Sequence, residues 1–590
     1  MKLDQYKRRI IILLLFFFCA YFIIIARLFY WQILTAAKTK ELAWNQYRSQ
    51  WQVPASRGEI LANDLFPLVI NKKAYLLYGL LSQLDHKVEE IADKLTPILL
   101  TSITQEEKAS PSGLVTKRED SLDKKIRENI IDKLKATNLV WVALEHKLFA
   151  EQKEQIEKLE IKGLGFEEEQ VRFYPEASMA AHLLGFMGKD ESGQDKGYFG
   201  LEGFYDLELK GRPGLLTIEK DAVATPIMIG SFVQREKQDG KTLVLYLDRM
   251  AQFIAEKRLK EALENYGAKA GLVAIMDPYT GGIIAMASLP SYNPSSYFEF
   301  DKSLFKNPVI AESYEPGSTF KIFVIAAALD KKIVKPETKC DICQGPFKID
   351  KYTIKTWNDQ YYPDSTMTDI IQHSDNVGMV FIAQKMGLDN FWEYLNKFGF
   401  TQKTNIDLQE EVSASLREKK QWSEVDLVTA AFGQGLALTP IQILRAASVI
   451  ANGGNLVEPR MVREIISGDK TIKIKPKIVE QVIKPEAAKM VKEMMVNAVE
   501  KGEVKWTKIP GYKIAGKTGT AQIPIAGHYD KEKTIASFIG FAPADKPRFV
   551  MLTTLREPTT SPWGSETAAP LFFKIAKELL VYYGIQKESN

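Results

Sequence analysis

The stretch EPGSTFK at residues 315–321 runs directly into the apolar run IFVIAAAL at residues 322–329. The proline and glycine near its start indicate a tight turn. The apolar run has no polar face, which predicts a helix buried at the centre of a domain. Ser318 then lies in the first turn of this helix, and Lys321, three residues later, lies on the same face. We therefore expect the main domain to be built around this helix.

Ser318 and Lys321 have the chemistry of a nucleophile and its base. A serine hydroxyl reacts as a nucleophile only when a neighbouring group takes its proton. A lysine amine in an apolar pocket loses basicity and can be neutral near pH 7, which suits it to that task. The free N–H groups at a helix N-terminus also face the position where an oxyanion would develop. The pair therefore predicts acyl transfer through serine.

Two further motifs follow in order, Ser374-Asp375-Asn376 and the stretch KTGT at residues 517–520. Ser-x-x-Lys alone occurs by chance in a long chain, and Lys-Thr-Gly alone is compatible with the end of an ordinary strand. The three motifs in this order are the signature of serine enzymes that are acylated by penicillin. The combination therefore favours an enzyme of that kind over a chance match.

Composition excludes several other classes of protein. A chain of 590 residues should hold more than one domain. Its net charge of +4 is too small and too dispersed to indicate a nucleic-acid partner. The five histidines are widely separated and no pair has metal-ligand spacing, which argues against a zinc mechanism. We expect neither a cofactor nor a metal.

Cys340 and Cys343 have the spacing of a redox motif or of half a zinc site. The sequence offers no second pair to complete a zinc site and no thioredoxin-like unit around the motif. We expect two free thiols in a loop. A small local disulfide is the alternative if this part of the chain is exported.

The N-terminal segment predicts a single membrane anchor at residues 10–33. Residues 10–26 contain no charge, and basic residues precede them at Lys2, Lys7, Arg8 and Arg9. With the turns that follow, this segment is long enough to cross a bilayer. The basic flank places residues 1–9 in the cytoplasm as a short tail, with the catalytic part outside the plasma membrane. A signal peptide cleaved near residues 35–37 is the alternative, but Tyr30 and Trp31 are typical interfacial anchors.

The rest of the chain divides near residue 240. Residues 140–144 predict a strand, residues 149–159 an amphipathic helix, and the polar stretch 104–123 a flexible segment. Beyond the boundary, residues 243–247 predict a strand and residues 250–263 a helix. The runs at 271–277 and 283–287, joined by a turn at 278–282, predict a hairpin.

Additional motifs resemble those of the class B penicillin-binding proteins, the monofunctional peptidoglycan D,D-transpeptidases. They are SRGEI at 56–60, RFYP at 172–175, AHLLG at 181–185, GLEG at 200–203, LKGRPG at 209–214, GQG at 433–435, LTPIQ at 438–442, ANGG at 451–454 and AAPLF at 568–572. The family usually continues the first motif with an acidic residue and an arginine, where this chain has Ala62 and Asn63. His182, inside AHLLG, is interpreted as a structural hydrogen-bonding residue.

This resemblance covers nearly the whole chain and implies an α/β architecture. A non-catalytic, strand-rich and elongated pedestal (dimerisation) domain is expected at residues 45–235. A penicillin-binding transpeptidase domain of the β-lactamase-like kind, with an antiparallel sheet flanked by helices, is expected at 240–585. The strands at 243–247 and 271–287 would then be the first strands of that sheet.

The motifs also suggest roles for individual residues. Ser318 would attack the carbonyl between two D-alanines of a stem peptide, and Lys321 would take its proton. Ser374 would relay a proton to the leaving amine, and Asn376 would hold Lys321 and the substrate backbone. No role is assigned to Asp375.

The third motif suits substrate binding. Lys517, with Thr518 and Thr520, suits the terminal carboxylate of the donor peptide. Gly519 would leave room for substrate backbone beside the strand. The resemblance implies an oxyanion hole made by the backbone N–H groups of Ser318 and Thr520.

Other functions remain open at this point. A β-lactamase would need an additional glutamate, and Glu410 and Glu411 lack the usual asparagine context. A D,D-carboxypeptidase differs only in using water as the acceptor. A non-enzymatic β-lactam sensor or a scaffold is a further alternative. The resemblance implies β-lactams as inhibitors and, as partners, a polytopic SEDS-type glycosyltransferase and other divisome or elongasome proteins. Division and elongation are not distinguished.

Overall fold

The computed structural model describes residues 2–107, 119–136, 139–220, 226–413, 416–525 and 528–588. These residues form two compact units, which are described separately. The first contains residues up to 57 together with 210–240, and the second contains residues 58–209 together with 241 onward.

The α-helices of the described residues are numbered in chain order. They are α1 Lys2–Phe29, α2 Ala36–Tyr47, α3 Val88–Glu107, α4 Glu119–Leu134, α5 Ala150–Glu157, α6 Ala181–Leu184, α7 Gly200–Phe204, α8 Asp206–Lys210, α9 Arg249–Tyr266, α10 Pro308–Ala311, α11 Lys321–Asp330, α12 Met367–Gln372, α13 Asn376–Lys397, α14 Glu424–Ala431, α15 Pro440–Ala451, α16 Pro485–Lys501 and α17 Ala568–Tyr582.

The β-strands are numbered in the same way. They are β1 Arg48–Val53, β2 Ile60–Leu61, β3 Pro67–Leu80, β4 Trp141–Leu148, β5 Leu164–Phe173, β6 Phe186–Lys189, β7 Asp195–Tyr198, β8 Gly214–Lys220, β9 Pro226–Arg235, β10 Thr242–Leu245, β11 Ala270–Met276, β12 Ile283–Leu289, β13 Phe347–Ile349, β14 Tyr352–Ile354, β15 Asn455–Val457, β16 Val462–Ser467, β17 Lys470–Lys473, β18 Ile478–Gln481, β19 Ala515–Ile525, β20 His528–Ala542 and β21 Phe549–Arg556.

The first unit combines the N-terminal helix with a small antiparallel sheet. The apolar segment Leu3–Leu34 is long enough to cross a membrane, and no part of its apolar window is buried among the residues that the structure describes. Near its end, the Arg27 guanidinium lies 5.9 Å from the Tyr30 ring centroid and 5.5 Å from that of Trp31. The sheet has the order β1-β8-β9.

The pedestal part of the second unit is built on a mixed sheet. Its main path has the order β17-β16-β10-β2-β3-β4, and β5 pairs with β3. Helices α3, α4 and α5 cover the β3–β4 end with a separate apolar core. The expectation that residues 243–247 begin the transpeptidase sheet is wrong. Strand β10 pairs in parallel with β2 and antiparallel with β16, so both of its edges are taken by strands of the pedestal sheet.

Two pedestal motifs meet at a buried ion pair. Arg172 of RFYP donates from Nε to Oε1 of Glu202 of GLEG at 2.7 Å, and Nη1 donates to Asn71 at 2.9 Å. The side chains of Arg172 and Glu202 are 5% and 0% exposed. Both motifs therefore stabilise the pedestal rather than carry chemistry. His182 is also a buried residue with a structural contact, because its Nε2 lies 2.9 Å from the Leu304 carbonyl oxygen.

The catalytic part contains a five-stranded sheet of order β12-β11-β21-β20-β19. All its pairings are antiparallel, and β11 with β12 is the predicted hairpin. Helices α9 and α17 pack on one face, over a core that includes Phe538 and Phe572. Helices α11, α15 and α16 belong to the larger core on the other face. The sheet is therefore flanked by helices on both sides.

Two predictions from local sequence differ from the structure. Cys340 and Cys343 form a buried disulfide with an Sγ–Sγ distance of 2.01 Å, so the expectation of free thiols is wrong. The two cysteines lie in a turn that returns to the core, which brings their side chains together. Of the stretch expected to be flexible, residues 108–118 lie outside the described residues. Its ends are helical instead, because α3 extends to Glu107 and α4 begins at Glu119.

Candidate active site

The turn that carries Ser318 is a short 3-10 helix, Gly317–Phe320, and α11 begins directly after it at Lys321. Residues 321–329 of α11 are all buried, as the apolar run predicted. Gly317 has a φ of +55° and donates from its N–H to the Gly433 carbonyl at 3.0 Å. The GQG motif therefore supports the turn, and the Ser318 side chain stays partly exposed.

The Lys321 amine is fully buried beneath this turn and contacts the second motif. Its Nζ donates to the Ser374 carbonyl at 2.6 Å and to Asn376 Oδ1 at 2.8 Å. The amide of Asn376 is oriented by its own Nδ2, which donates to the Lys355 carbonyl at 2.9 Å. Ser374 Oγ lies 3.4 Å from the same amine.

This arrangement favours a neutral amine at Lys321. Burial lowers its pKa well below the usual value, and the positive charge of Lys517 lowers it further. A neutral amine has two N–H groups and one lone pair. The two shortest contacts take the N–H groups, so the lone pair remains to accept a proton from a nearby hydroxyl. The carboxylates of Asp375 and Glu503 oppose the shift, after these larger effects.

Ser374 lies between two amines. Its Oγ accepts from Lys517 Nζ at 3.0 Å and is also near Lys321. A φ of +56° directs Ser374 into this position at the end of α12. The next residue, Asp375, caps α13 by accepting from the N–H groups of Val377 and Gly378 at 2.7 and 3.2 Å. Asp375 thus shapes the turn that presents its neighbours.

Lys517 and Thr518 belong to β19, which is the last strand of the five-stranded sheet. Lys517 is 3% exposed, and burial lowers its pKa, while the carboxylate of Glu503 raises it in part. Its Nζ donates to the Thr518 side-chain oxygen at 3.0 Å. An edge strand has backbone groups without a strand partner, so an extended peptide can pair with it.

Strand β19 passes directly against the Ser318 turn. A Cβ built on Gly519 would lie 2.7 Å from Thr319 Cγ2 and 3.0 Å from the Pro316 carbonyl oxygen. One built on Gly317 would lie 3.0 Å from the Thr520 carbonyl oxygen. The missing side chain of Gly519 therefore faces the protein, which differs from the expected clearance for substrate. The close approach places the turn that carries Ser318 directly against the strand that carries Thr520.

Several residues around the site were not identified from the sequence. Glu503 accepts from the Thr518 hydroxyl at 2.9 Å, and the Gly564 N–H donates to Thr520 Oγ1 at 2.9 Å. The rings of Trp357 and Trp563 are 5.2 Å apart, in a T-shaped contact. These residues lie in irregular segments without any motif, so no local signal identifies them.

All three motifs therefore converge. A serine turn, a buried amine, a hydroxyl between two amines and an open strand edge define the site of a serine acyltransferase. No cluster of histidine, cysteine, aspartate and glutamate with the geometry of a metal site occurs among the described residues. The residues that the site brings together can transfer a proton and bind a carboxylate.

Comparisons with known families agree with this class. The model of the penicillin binding protein transpeptidase domain matches residues 271–577, and that of the penicillin-binding protein dimerisation domain matches residues 52–245. The chain belongs to the class B penicillin-binding proteins, the D,D-transpeptidases that combine these two domains.

Individual relatives and structures extend the match to most of the chain. Stage V sporulation protein D of Bacillus subtilis is 32% identical over 569 residues, which cover 96% of this chain and 84% of the relative. Peptidoglycan D,D-transpeptidase FtsI of Escherichia coli is 31% identical over 438 residues, which cover 74% of this chain and 71% of the relative. A peptidoglycan synthetase structure from Bifidobacterium adolescentis, at 23% identity, has the same fold. Its TM-score is 0.71, and the match covers 92% of this chain and 98% of that structure.

Proposed function

We propose that Ser318 is the nucleophile of a peptidoglycan D,D-transpeptidase and that Lys321 is its base. The observation that carries this proposal is the buried Lys321 amine, whose N–H groups are taken by Ser374 and Asn376. Its remaining lone pair can accept the Ser318 proton. The donor peptide is a stem peptide that ends in two D-alanines, in keeping with the name of the Escherichia coli relative.

The reaction proceeds in two steps. Ser318 Oγ attacks the carbonyl between the two D-alanines, and the backbone N–H groups of Ser318 and Thr520 stabilise the oxyanion. The C–N bond breaks as Ser374 passes a proton to the leaving nitrogen, which releases D-alanine and leaves an acyl ester on Ser318. An amine of a second stem peptide then attacks the ester and releases the serine, forming the cross-link. A β-lactam acylates the same hydroxyl and inhibits the enzyme.

Substrate binding is assigned to the third motif. The donor peptide lies along the open edge of β19, where its backbone pairs with the strand. Its terminal carboxylate faces Lys517 and the Thr520 hydroxyl. Gly564 donates to the Thr520 oxygen, so the Thr520 O–H remains a donor for that carboxylate.

The test is the intact mass of the full-length protein in detergent after exposure to penicillin. The wild type should gain the mass of one penicillin, and Ser318→Ala should gain none. Release of D-alanine from a stem-peptide substrate is then compared with and without an amine acceptor. Cross-linking that depends on the amine acceptor supports a transpeptidase. D-alanine release at the same rate with and without the acceptor, and without cross-linking, identifies the D,D-carboxypeptidase alternative. A penicillin adduct on Ser318→Ala contradicts the assignment of the nucleophile.

Location and partners complete the proposal. Residues 1–9 lie in the cytoplasm, residues 10–33 anchor the protein in the plasma membrane, and the pedestal (45–235) and transpeptidase domain (240–585) lie outside the cell. The glycan strands come from a polytopic SEDS-type glycosyltransferase that contacts the anchor and pedestal. The pedestal motifs and the apolar N-terminal helix support this arrangement. A truncation that lacks residues up to about 235 and still binds such a partner contradicts it.

A further inference from the structure

Glu503 lies at the catalytic site but belongs to none of the three motifs. It follows the C-terminal end of α16, which packs closely against α12. Asn497 donates to Gln372 Oε1 at 2.7 Å, and a Cβ on Gly502 would lie 2.9 Å from the Gln372 carbonyl oxygen. The position of the Glu503 backbone is therefore set by helix packing.

The contact between Glu503 and Thr518 sets the direction of a hydrogen-bond chain. A threonine hydroxyl has a single proton, and in Thr518 it points to Glu503 Oε2 at 2.9 Å. The lone pairs of the same oxygen then face Lys517, whose Nζ donates to it at 3.0 Å. Without the carboxylate, the Thr518 hydroxyl could turn its proton toward the amine.

The Lys517 amine has three hydrogen-bond acceptors around it. They are Ser374 Oγ at 3.0 Å, the Thr518 side-chain oxygen at 3.0 Å and the Thr518 carbonyl at 3.2 Å. An ammonium has three N–H groups to donate, so this set fits the protonated form. Lys321 differs from Lys517 in the distances: two oxygens lie within 2.8 Å of its Nζ, and the third, Ser374 Oγ, lies 3.4 Å away, so this set fits an amine with two N–H groups and one lone pair.

The charges on neighbouring elements also favour a protonated Lys517 and a neutral Lys321. Lys321 is on α11, Asp375 caps α13, Glu503 follows α16 and Lys517 is on β19. The Glu503 carboxylate raises the pKa of Lys517, against burial, and its effect on Lys321 is the smallest of those acting there. A protonated Lys517 in turn lowers the pKa of Lys321.

We propose that Glu503 is a positioning residue of this site, which holds the Thr518 hydroxyl and, through it, the Lys517 ammonium against Ser374. The proposal rests on the proposed function, because it concerns the same acyl transfer. Because the Thr518 hydroxyl donates to Glu503, Thr520 is the threonine that donates to the carboxylate of the donor peptide. Glu503 itself touches neither the substrate nor the reacting atoms.

The test is the pH profile of acylation by a fluorescent penicillin, measured with the full-length protein in detergent. The acid limb reports loss of the Lys321 proton, and the alkaline limb reports loss of the Lys517 proton. Glu503→Gln removes the negative charge near Lys517 and should move the alkaline limb about one pH unit lower. Above that limb, acylation should be about tenfold slower than in the wild type.

Two variants serve as controls. Glu503→Asp keeps the charge and should leave the alkaline limb at its wild-type position. Glu500→Gln removes an exposed carboxylate from the last turn of α16, three residues before Glu503, and it should leave both limbs unchanged. A purely structural role of Glu503 would lower the rate at every pH without moving the limb. An unmoved alkaline limb in Glu503→Gln therefore overturns the proposal.

A pair of threonine variants keeps the test decisive if Glu503→Gln does not fold. Thr518→Ser retains the hydroxyl and should preserve the alkaline limb, while Thr518→Val should move it to lower pH. If the alkaline limb lies at the same pH in Thr518→Ser and Thr518→Val, the proposal is overturned. Failure of the wild type to acylate, or acylation of Ser318→Ala, would instead overturn the proposed function, so the two failures are distinguishable.

Discussion

Gly519→Ala is the substitution that most directly tests how the site is assembled. A Cβ at this position would lie 2.5 Å from Ser537 Oγ, 2.7 Å from Thr319 Cγ2 and 3.0 Å from the Pro316 carbonyl oxygen. The Ser537 hydroxyl can rotate away, but the other two atoms belong to the packed turn that carries Ser318. Strand β19 must therefore move outward from that turn to accept the methyl group.

The expected magnitude follows from the size of these overlaps. Insertion of one carbon into a packed site usually lowers the free energy of unfolding by about 1–3 kcal/mol. A displacement of about 1 Å between a nucleophile and its oxyanion donors can reduce the rate about a hundredfold. We expect both effects in Gly519→Ala, because β19 supplies Thr520 to the site.

The assay combines thermal unfolding with the rate of acylation by a fluorescent penicillin. Gly345→Ala is a matched control, because a Cβ there meets nothing within 4 Å, and it should leave stability and rate unchanged. If Gly519 were needed only to leave room for substrate, Gly519→Ala would keep its stability in the absence of ligand. Wild-type stability in Gly519→Ala would thus refute our account of this glycine.

Two further predictions concern residues away from the chemistry. Burial lowers the pKa of His182 to about 4 from its usual 6.5, so the unfolded chain binds more protons between these values. The free energy of unfolding should therefore fall by about 3 kcal/mol as the pH drops through this window, and thermal unfolding of His182→Gln should lack this part of the slope. Cys343→Ser opens the buried disulfide and should lower the free energy of unfolding by about 2 kcal/mol, measured by thermal unfolding with and without reductant. An unchanged melting temperature in both conditions would contradict a stabilising disulfide.

Much of the architecture could be predicted because it depends on short-range patterns. The apolar run after Lys321 gives a buried helix, the two apolar runs on either side of the turn at residues 278–282 give a hairpin, and the uncharged segment after Arg9 gives a helix that can cross a membrane. Hydrophobic periodicity acts over a few residues, so one sequence is enough to reveal it. The same kind of local pattern predicts the strand at residues 243–247, but it does not indicate which strands pair with it.

The sequence by itself determined the class of the enzyme, because three motifs in this order are the signature of serine enzymes that are acylated by penicillin. Only the tertiary structure decided which hydroxyl lies between the two amines, that the absent Cβ of Gly519 faces the Ser318 turn, and that Glu503 reaches Thr518. The physical reason is the range of the interactions involved. Contacts between separate segments of the chain depend on strand register and helix packing, which leave no periodic pattern along the chain.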